Sequence, residues 1–194
     1  MKQFHLNGFL RRSCSAVLAL ALCMPPAVLA DEGKARIQTS QTILDGLTYT
    51  NTVSEHTSGR VESFLLELEE DSPVLILEDD LYQIIFNLME NGIKYNLPGG
   101  TLTVRLRREE DNAILEVTDT GMGIPEDAIG HVFERFYRVD KARSRATGGS
   151  GLGLAIVRTI VQRNRGEINV RSTFGKGTTF SVTFPAFDAE VDSE

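Results

Sequence analysis

Leu81, Ile84, Ile85 and Leu88 recur at three-and-four spacing, the period of a helix that buries one face. The run predicts a helix from about Asp80 to Tyr95, opened by Glu78-Asp79-Asp80 at its electropositive end and stopped by Pro98-Gly99-Gly100. A second amphipathic stretch, about Leu152 to Arg165, predicts another helix with Gly166 as its cap. Strands are expected at Val61 to Leu68, and at Val74 to Leu77 beyond the acidic Glu69-Glu70-Asp71 turn and Pro73. Alternation in Leu102, Val104 and Leu106, then Leu115 and Val117, marks two strands joined through Glu109-Glu110-Asp111-Asn112 as an antiparallel hairpin. Ile168 and Val170, then Phe180, Val182 and Phe184, form a second pair around Gly175-Lys176-Gly177.

Three stretches lack such a period. Residues 31–60 are polar, and Ile37, Leu44 and Leu47 are only loosely spaced for one helical face, so a linker or a remnant helix is expected there. Gly121 to Gly151 is a long irregular insertion, a length that usually signals a functional segment. Residues 186–194 form an acidic tail. The first thirty residues carry Lys2, Arg11 and Arg12, an apolar run from Ala16 to Met24, Pro25-Pro26 and a Val28-Leu29-Ala30 ending. This reads as an export signal, with an uncleaved membrane anchor as the alternative; the run is short for a span of about 20 residues.

The chain of 194 residues has room for one ordinary core, and its net charge of -7 argues against a nucleic-acid backbone as partner. Both cysteines, Cys14 and Cys23, fall in the export-like segment, so the remainder has no thiol for a disulfide or zinc site.

Candidate chemistry sits on the first helix and in the glycine-rich breaks. Asn87, Asn91 and Lys94 fall at i, i+4 and i+7, setting two carboxamides and an ammonium on one face. Amide oxygens can ligate a hard cation such as Mg²⁺, and the lysine can neutralise phosphate; alone, such a face is more often solvated surface. Asp119-Thr120-Gly121-Met122-Gly123-Ile124-Pro125 puts a carboxylate at a strand end, able to accept from an exocyclic amine such as adenine's, beside glycines that admit close approach. Gly148-Gly149-Ser150-Gly151-Leu152-Gly153-Leu154 runs into a helix N-terminus, an arrangement that cradles phosphate. No strand precedes it, which excludes a dinucleotide-binding fingerprint. Between them, Phe133-Glu134-Arg135-Phe136-Tyr137-Arg138 suits a flap packed by Phe133 and Phe136, with Arg138 reaching phosphate.

In this order the four elements resemble the N box, first glycine box, F box and second glycine box of the catalytic and ATP-binding domain of sensor histidine kinases, in the superfamily of gyrase, Hsp90 and MutL. The resemblance covers about residues 61–185. It implies an α/β (α+β) two-layer sandwich of the Bergerat type, a mixed β-sheet covered on one face by helices. It also implies ATP and Mg²⁺ as ligands, with Asn91 on the metal and Asn87 assisting, and Lys94 and Arg138 on the phosphates. Tyr95 would flank the nucleotide, Asp119 would bind the adenine amine, and Thr178 would support the adenine site. Gly121, Gly123 and Ile124 would line the base. A lid from Phe133 to Gly151 would order over the nucleotide, and Gly149, Gly151, Leu152, Gly153 and Leu154 would edge the phosphates.

Asn87 stands where water-splitting members resemble one another in having glutamate, and an amide cannot act as a general base. Phosphoryl transfer is therefore favoured over hydrolysis, and adjacent Glu90, rotated about 100° from Asn91, is a poorer base. Gly92 replaces a more usual alanine, loosening the helix by about 1 kcal/mol. No acceptor histidine is recognised: His5 lies in the export-like segment, His56 lacks a following acid, and His131 sits beside the lid. The expected partners are a dimerisation and histidine phosphotransfer domain in trans and a response regulator, with membrane association possible through residues 1–30. The alternatives are a nucleotide-dependent binding module and a serine kinase of the same superfamily. An export signal conflicts with ATP chemistry, which requires the cytoplasmic side.

Overall fold

The computed structural model describes the backbone of residues 3–5, 38–39, 47–52, 61–68, 73–139 and 150–186. The strands are β1 (Gln3–His5), β2 (Gln38–Thr39), β3 (Leu47–Thr52), β4 (Val61–Leu68), β5 (Pro73–Leu75), β6 (Gly100–Glu109), β7 (Asn112–Asp119), β8 (Glu167–Thr173) and β9 (Gly177–Pro185). The helices are α1 (Glu78–Lys94), the single turn α2 (Glu126–Ile129) and α3 (Gly153–Arg163). One sheet has the order β2-β3-β4-β6-β7-β9-β8, and β1 pairs with β5 in a small second one.

Both expected hairpins form, β6 with β7 and β8 with β9, and β7 pairs with β9 to join them. Among the described strands only β4 and β6 run parallel in the large sheet. A parallel pair needs a crossover, and here β5 and α1 supply it, carrying α1 onto one face. Period-two alternation then decides what lies beneath the helices. Leu102, Val104 and Leu106 of β6, Leu115 and Val117 of β7, and Phe180, Val182 and Phe184 of β9 are buried in one cluster. Leu81, Ile84, Ile85 and Leu88 of α1 and Val157, Ile160 and Val161 of α3 close it from above. Each fully buried aliphatic side chain contributes about 1.5–3 kcal/mol.

The opposite face is polar: Arg105 Nε donates to Glu67 at 2.6 Å, and the buried Glu116 accepts from Ser181 Oγ at 3.1 Å and from Arg171. The mixed sheet with helices on one face is the architecture expected.

Three local expectations need correction. Leu47 does not lie on the inner face of a remnant helix but opens β3, because Leu47–Thr52 is rich in threonine and tyrosine, residues that fit a pleated surface. Ile37 and Leu44 lie outside the described residues. The left-handed position that closes α3 is taken not by Gly166 but by Arg165, at φ 59°, two residues beyond the helix, while the Gly166 N–H closes onto Val161 O at 2.9 Å. Gly166 is required for another reason, since a Cβ there would stand 2.7 Å from Thr183 O. Finally, Phe136 does not pack the flap: it is 69% exposed at φ 65°, and Phe133 alone meets the core, edge-on to Phe180 at 6.2 Å.

The export-like segment apart from Gln3–His5, the cysteines, His56, the lid from Asp140 to Gly149 and the acidic tail from residue 187 lie outside the described residues. Among the described residues no helix is long and apolar enough to cross a membrane.

Candidate functional site

The polar face of α1 is not solvated surface. Asn87 is buried, its Nδ2 donating to Gln83 O at 2.7 Å, and its Oδ1 faces the start of α3, where a Cβ on Gly153 would come within 2.7 Å. Gly153 therefore allows the glycine-rich backbone to lie directly against this amide. One and two turns further on, Asn91 and Lys94 are half-buried, and the Lys94 ammonium lies 5.6 Å from the Tyr95 ring centroid. Tyr95 is at the exposed rim.

The end of β7 meets the same helix from the other side. A Cβ on Gly121 would stand 2.3 Å from Tyr95 O and 2.8 Å from Asn96 Cα, backbone that cannot move aside cheaply, and Met122 N–H donates to Tyr95 O at 3.0 Å. Gly92 sits over Asp119, its missing Cβ 3.7 Å from the Asp119 Cβ. The carboxylate is thus enclosed by α1 above and the sheet below. Burial pushes its carboxyl up from 3.8 to about 6, against the pull of the Gly121 and Thr178 N–H groups, the first of which donates to Oδ1 at 2.8 Å. A buried carboxylate with a raised pKa at a strand end favours a ligand that brings hydrogen-bond donors.

Gly123 is left-handed at φ 66°, and a Cβ there would meet Thr173 O at 2.2 Å, which pins this loop to the β8–β9 turn. Ile124 packs against the core, and its N–H donates to Ser172 Oγ at 2.8 Å. Thr178 is buried, opposite Asp119 in the β7–β9 register, and shares a 3.0 Å hydrogen bond with Ser172.

The flap joins the second glycine segment at its base, where Phe136 N–H donates to Gly151 O at 2.8 Å. Gly151 is left-handed at φ 70°, and a Cβ there would press on Phe136 Cα at 3.0 Å. Just beyond, Arg138 has Nε and Nη2 buried with no hydrogen-bond partner among the described residues, a guanidinium prepared for an anion. Leu154 packs on the core, whereas Leu152 lines an open apolar hollow of about 270 Å³ with Phe136, Ile156 and Ile160. That hollow is not where the polar groups converge. Gly149 lies outside the described residues.

Of the expected residues, Asn87, Tyr95, Asp119, Gly121, Gly123, Gly151, Gly153 and Thr178 are drawn together through α1, the flap base and the β8–β9 turn. Sequence reasoning missed three contributors. Asn96 is buried, bonded to Thr101 O at 3.1 Å and Leu97 N at 3.0 Å, and shapes the turn that carries the Tyr95 carbonyl. Ser172 links the first glycine loop to Thr178, and nothing in the β8 alternation singles it out. Gly177, read only as a turn residue, has φ 125°, and a Cβ there would stand 2.0 Å from Asp119 O, so only glycine lets β9 begin this close to the end of β7.

The family described as histidine kinase-, DNA gyrase B- and HSP90-like ATPase matches residues 76–188. The chain is 46% identical over 114 residues to the sensor histidine kinase RppB of Synechocystis sp., a match covering 59% of this chain and 25% of RppB. It spans about a quarter of the length of the curated relatives it matches. Among solved structures, the mycobacterial sensor histidine kinase MprB has a TM-score of 0.65 at 24% identity, covering 95% of this chain and 97% of that one, a likeness of fold. Full-length ShkA, solved in complex with AMPPNP, has a TM-score of 0.56 at 28% identity, covering 65% of this chain and 26% of that one.

Proposed function

Since the chain belongs to the histidine kinase-, DNA gyrase B- and HSP90-like ATPase family, we propose that residues 61–185 bind ATP with a divalent cation and pass its γ-phosphoryl group to a histidine on another chain. One observation carries the reading: α1 touches both glycine segments, Gly121 at the Tyr95 carbonyl and Gly153 at the Asn87 amide. A buried carboxylate, two amides and a lysine thereby border one surface, and Arg138 adds buried guanidinium nitrogens with no hydrogen-bond partner among the described residues. ShkA, with AMPPNP bound, supports a nucleotide there.

Asp119 accepts from the adenine amine, and Gly121 and Gly123 let the base approach the backbone. Asn91 and Asn87 offer hard oxygen donors for Mg²⁺, to be completed by phosphate oxygens of the nucleotide. The cation, when bound, neutralises phosphate charge. Lys94 and Arg138 add positive charge at the phosphates, and the backbone entering α3 donates to them. The acceptor imidazole attacks the γ-phosphorus as the bond to the ADP oxygen breaks, and ADP leaves. Asn87 is no base and does not activate water, which keeps the phosphoryl group for the histidine.

On this reading residues 61–185 lie in the compartment that holds ATP, which requires residues 1–30 to act as the uncleaved anchor rather than as the export signal. The partners are then a dimerisation and histidine phosphotransfer domain and a response regulator, in keeping with relatives that are sensor kinases.

The test is to incubate the full chain with a separate histidine-bearing dimerisation domain and γ-labelled ATP. Acid-labile label on the acceptor, absent with the folded Asn91→Ala and Asp119→Ala variants, is expected. Calorimetric binding of Mg-ATP with no label on any acceptor would defeat the transfer step, and no binding at millimolar nucleotide would defeat the whole reading.

A further inference from the structure

Asp80, in the first turn of α1, is buried although it is charged. Its Oδ1 accepts from Arg163 Nη2 and its Oδ2 from Asn164 Nδ2 at 3.1 Å, both at the C-terminal end of α3. Asn164 also holds Ile160 O at 2.9 Å, so the last turn of α3 and the first turn of α1 are tied together. The two helices run antiparallel: Asp80 meets the end of α3, while Asn87, seven residues along α1, meets its beginning at Gly153. Seven residues of helix span about 10.5 Å.

Between these two contacts the interface is apolar, with Ile84 on α1 and Val157 and Ile160 on α3 in the shared core. Apolar contact is non-directional, whereas a hydrogen-bonded ion pair specifies one position. At the N-terminal end of α3 the described residues give no side-chain bond to α1, and Gly151 O is held instead by the Phe136 N–H. Leu152, its N-cap, makes no side-chain cap bond, and the helix begins on a glycine that continues the glycine-rich segment. The side-chain bonds from Arg163 and Asn164 to Asp80 therefore anchor α3 against α1 at its far end.

We infer that Asp80 is a positioning residue for the phosphate end of the nucleotide site. Through Arg163 and Asn164 it sets the axial position of α3, and so how far the glycine backbone at Gly151 to Gly153 advances over Asn87. A slip of one residue moves that backbone by about 1.5 Å, and misplacement of this size can cost about 100-fold in a site that works by positioning. The adenine end, built on Asp119, Gly121 and Thr178, is held by the sheet and by the C-terminal end of α1, the end opposite to Asp80. This inference rests on the nucleotide-binding reading.

The experiment measures two ligands on the full chain, Mg-ATP by calorimetry and adenosine by ligand-observed NMR. Asp80→Ala is expected to weaken Mg-ATP about 10-fold and adenosine less than about 2-fold. Arg163→Ala, at an exposed position that tolerates truncation, gives a smaller loss with the same selectivity. A merely structural role would weaken both ligands together in proportion to the folded fraction read by circular dichroism. Equal losses, or no loss in either single variant while the parent binds, overturn the positioning role alone. A parent that binds neither ligand overturns the nucleotide reading and the positioning role with it.

Discussion

Replacing Asp119 with asparagine should stabilise the nucleotide-free protein while abolishing its use of adenine. The folded carboxyl is raised from 3.8 to about 6 by burial between α1 and the sheet. Protonation therefore favours the fold: the stabilisation is fully present below 3.8, and it is lost as pH rises through about 6. At 1.36 kcal/mol per pH unit, the ionised side chain costs the empty domain up to about 3 kcal/mol above pH 7. An asparagine removes that cost but offers one acceptor oxygen to the Gly121 and Thr178 N–H groups, so about 1 kcal/mol of hydrogen bonding is given back. The net gain is about 2 kcal/mol at pH 7.5, or roughly 4–8 °C in Tm for a domain of this size. Urea denaturation of parent and Asp119→Asn, without nucleotide, at several pH values from 4 to 8 should show the margin of the variant growing with pH and levelling off above about 7. Mg-ATP affinity of the parent should run the opposite way and fall below about pH 6, as the acceptor for the adenine amine is protonated. A margin independent of pH, or a parent more stable than the variant at pH 8, would refute the argument that desolvation dominates this site.

Gly121→Ala should cost at least about 2 kcal/mol and remove nucleotide binding, because the new methyl meets the Tyr95 carbonyl and the Asn96 Cα, both backbone; chemical denaturation and calorimetry check both effects. Arg138→Ala should lower Mg-ATP affinity about 10-fold with an unchanged urea midpoint, since the Nε and Nη2 atoms hold no partner among the described residues. A falling midpoint would show instead that the guanidinium is a structural strut. Phe133→Ala should cost about 2 kcal/mol through its lost contact with Phe180, whereas Phe136→Ala, at an exposed site, should stay within about 0.5 kcal/mol; equal midpoints for the two would contradict the packing described.

Local physics explains what could be read from the chain alone. The apolar spacing of Leu81, Ile84, Ile85 and Leu88 can bury only as a helix, and alternation in β6, β7 and β9 can bury only as strands with one covered face, so elements and layer order follow from periodicity. The candidate site was readable for a similar reason: glycines beside Asp119 and before α3 are residues whose backbone conformation or close approach excludes side chains, and both uses are found at Gly121, Gly123, Gly151 and Gly153.

What depends on groups far apart in sequence was not readable. Asp80 belongs to the acidic opening of α1 and Asn87 to its candidate cation-binding face, and only the arrival of α3 buries them, one against Arg163, 83 residues away, and the other against Gly153. Phe136 shares a hydrophobic spacing with Phe133, yet the hydrogen bond from its N–H to Gly151 O, at a positive φ, turns it outward. The pairing of Leu47–Thr52 with β4 likewise required a partner strand to be present. The hydrophobic period determines which face of each element is buried, whereas the partner on that face, and hence the protonation of Asp119 and the position of the glycine backbone, is decided only when the elements pack.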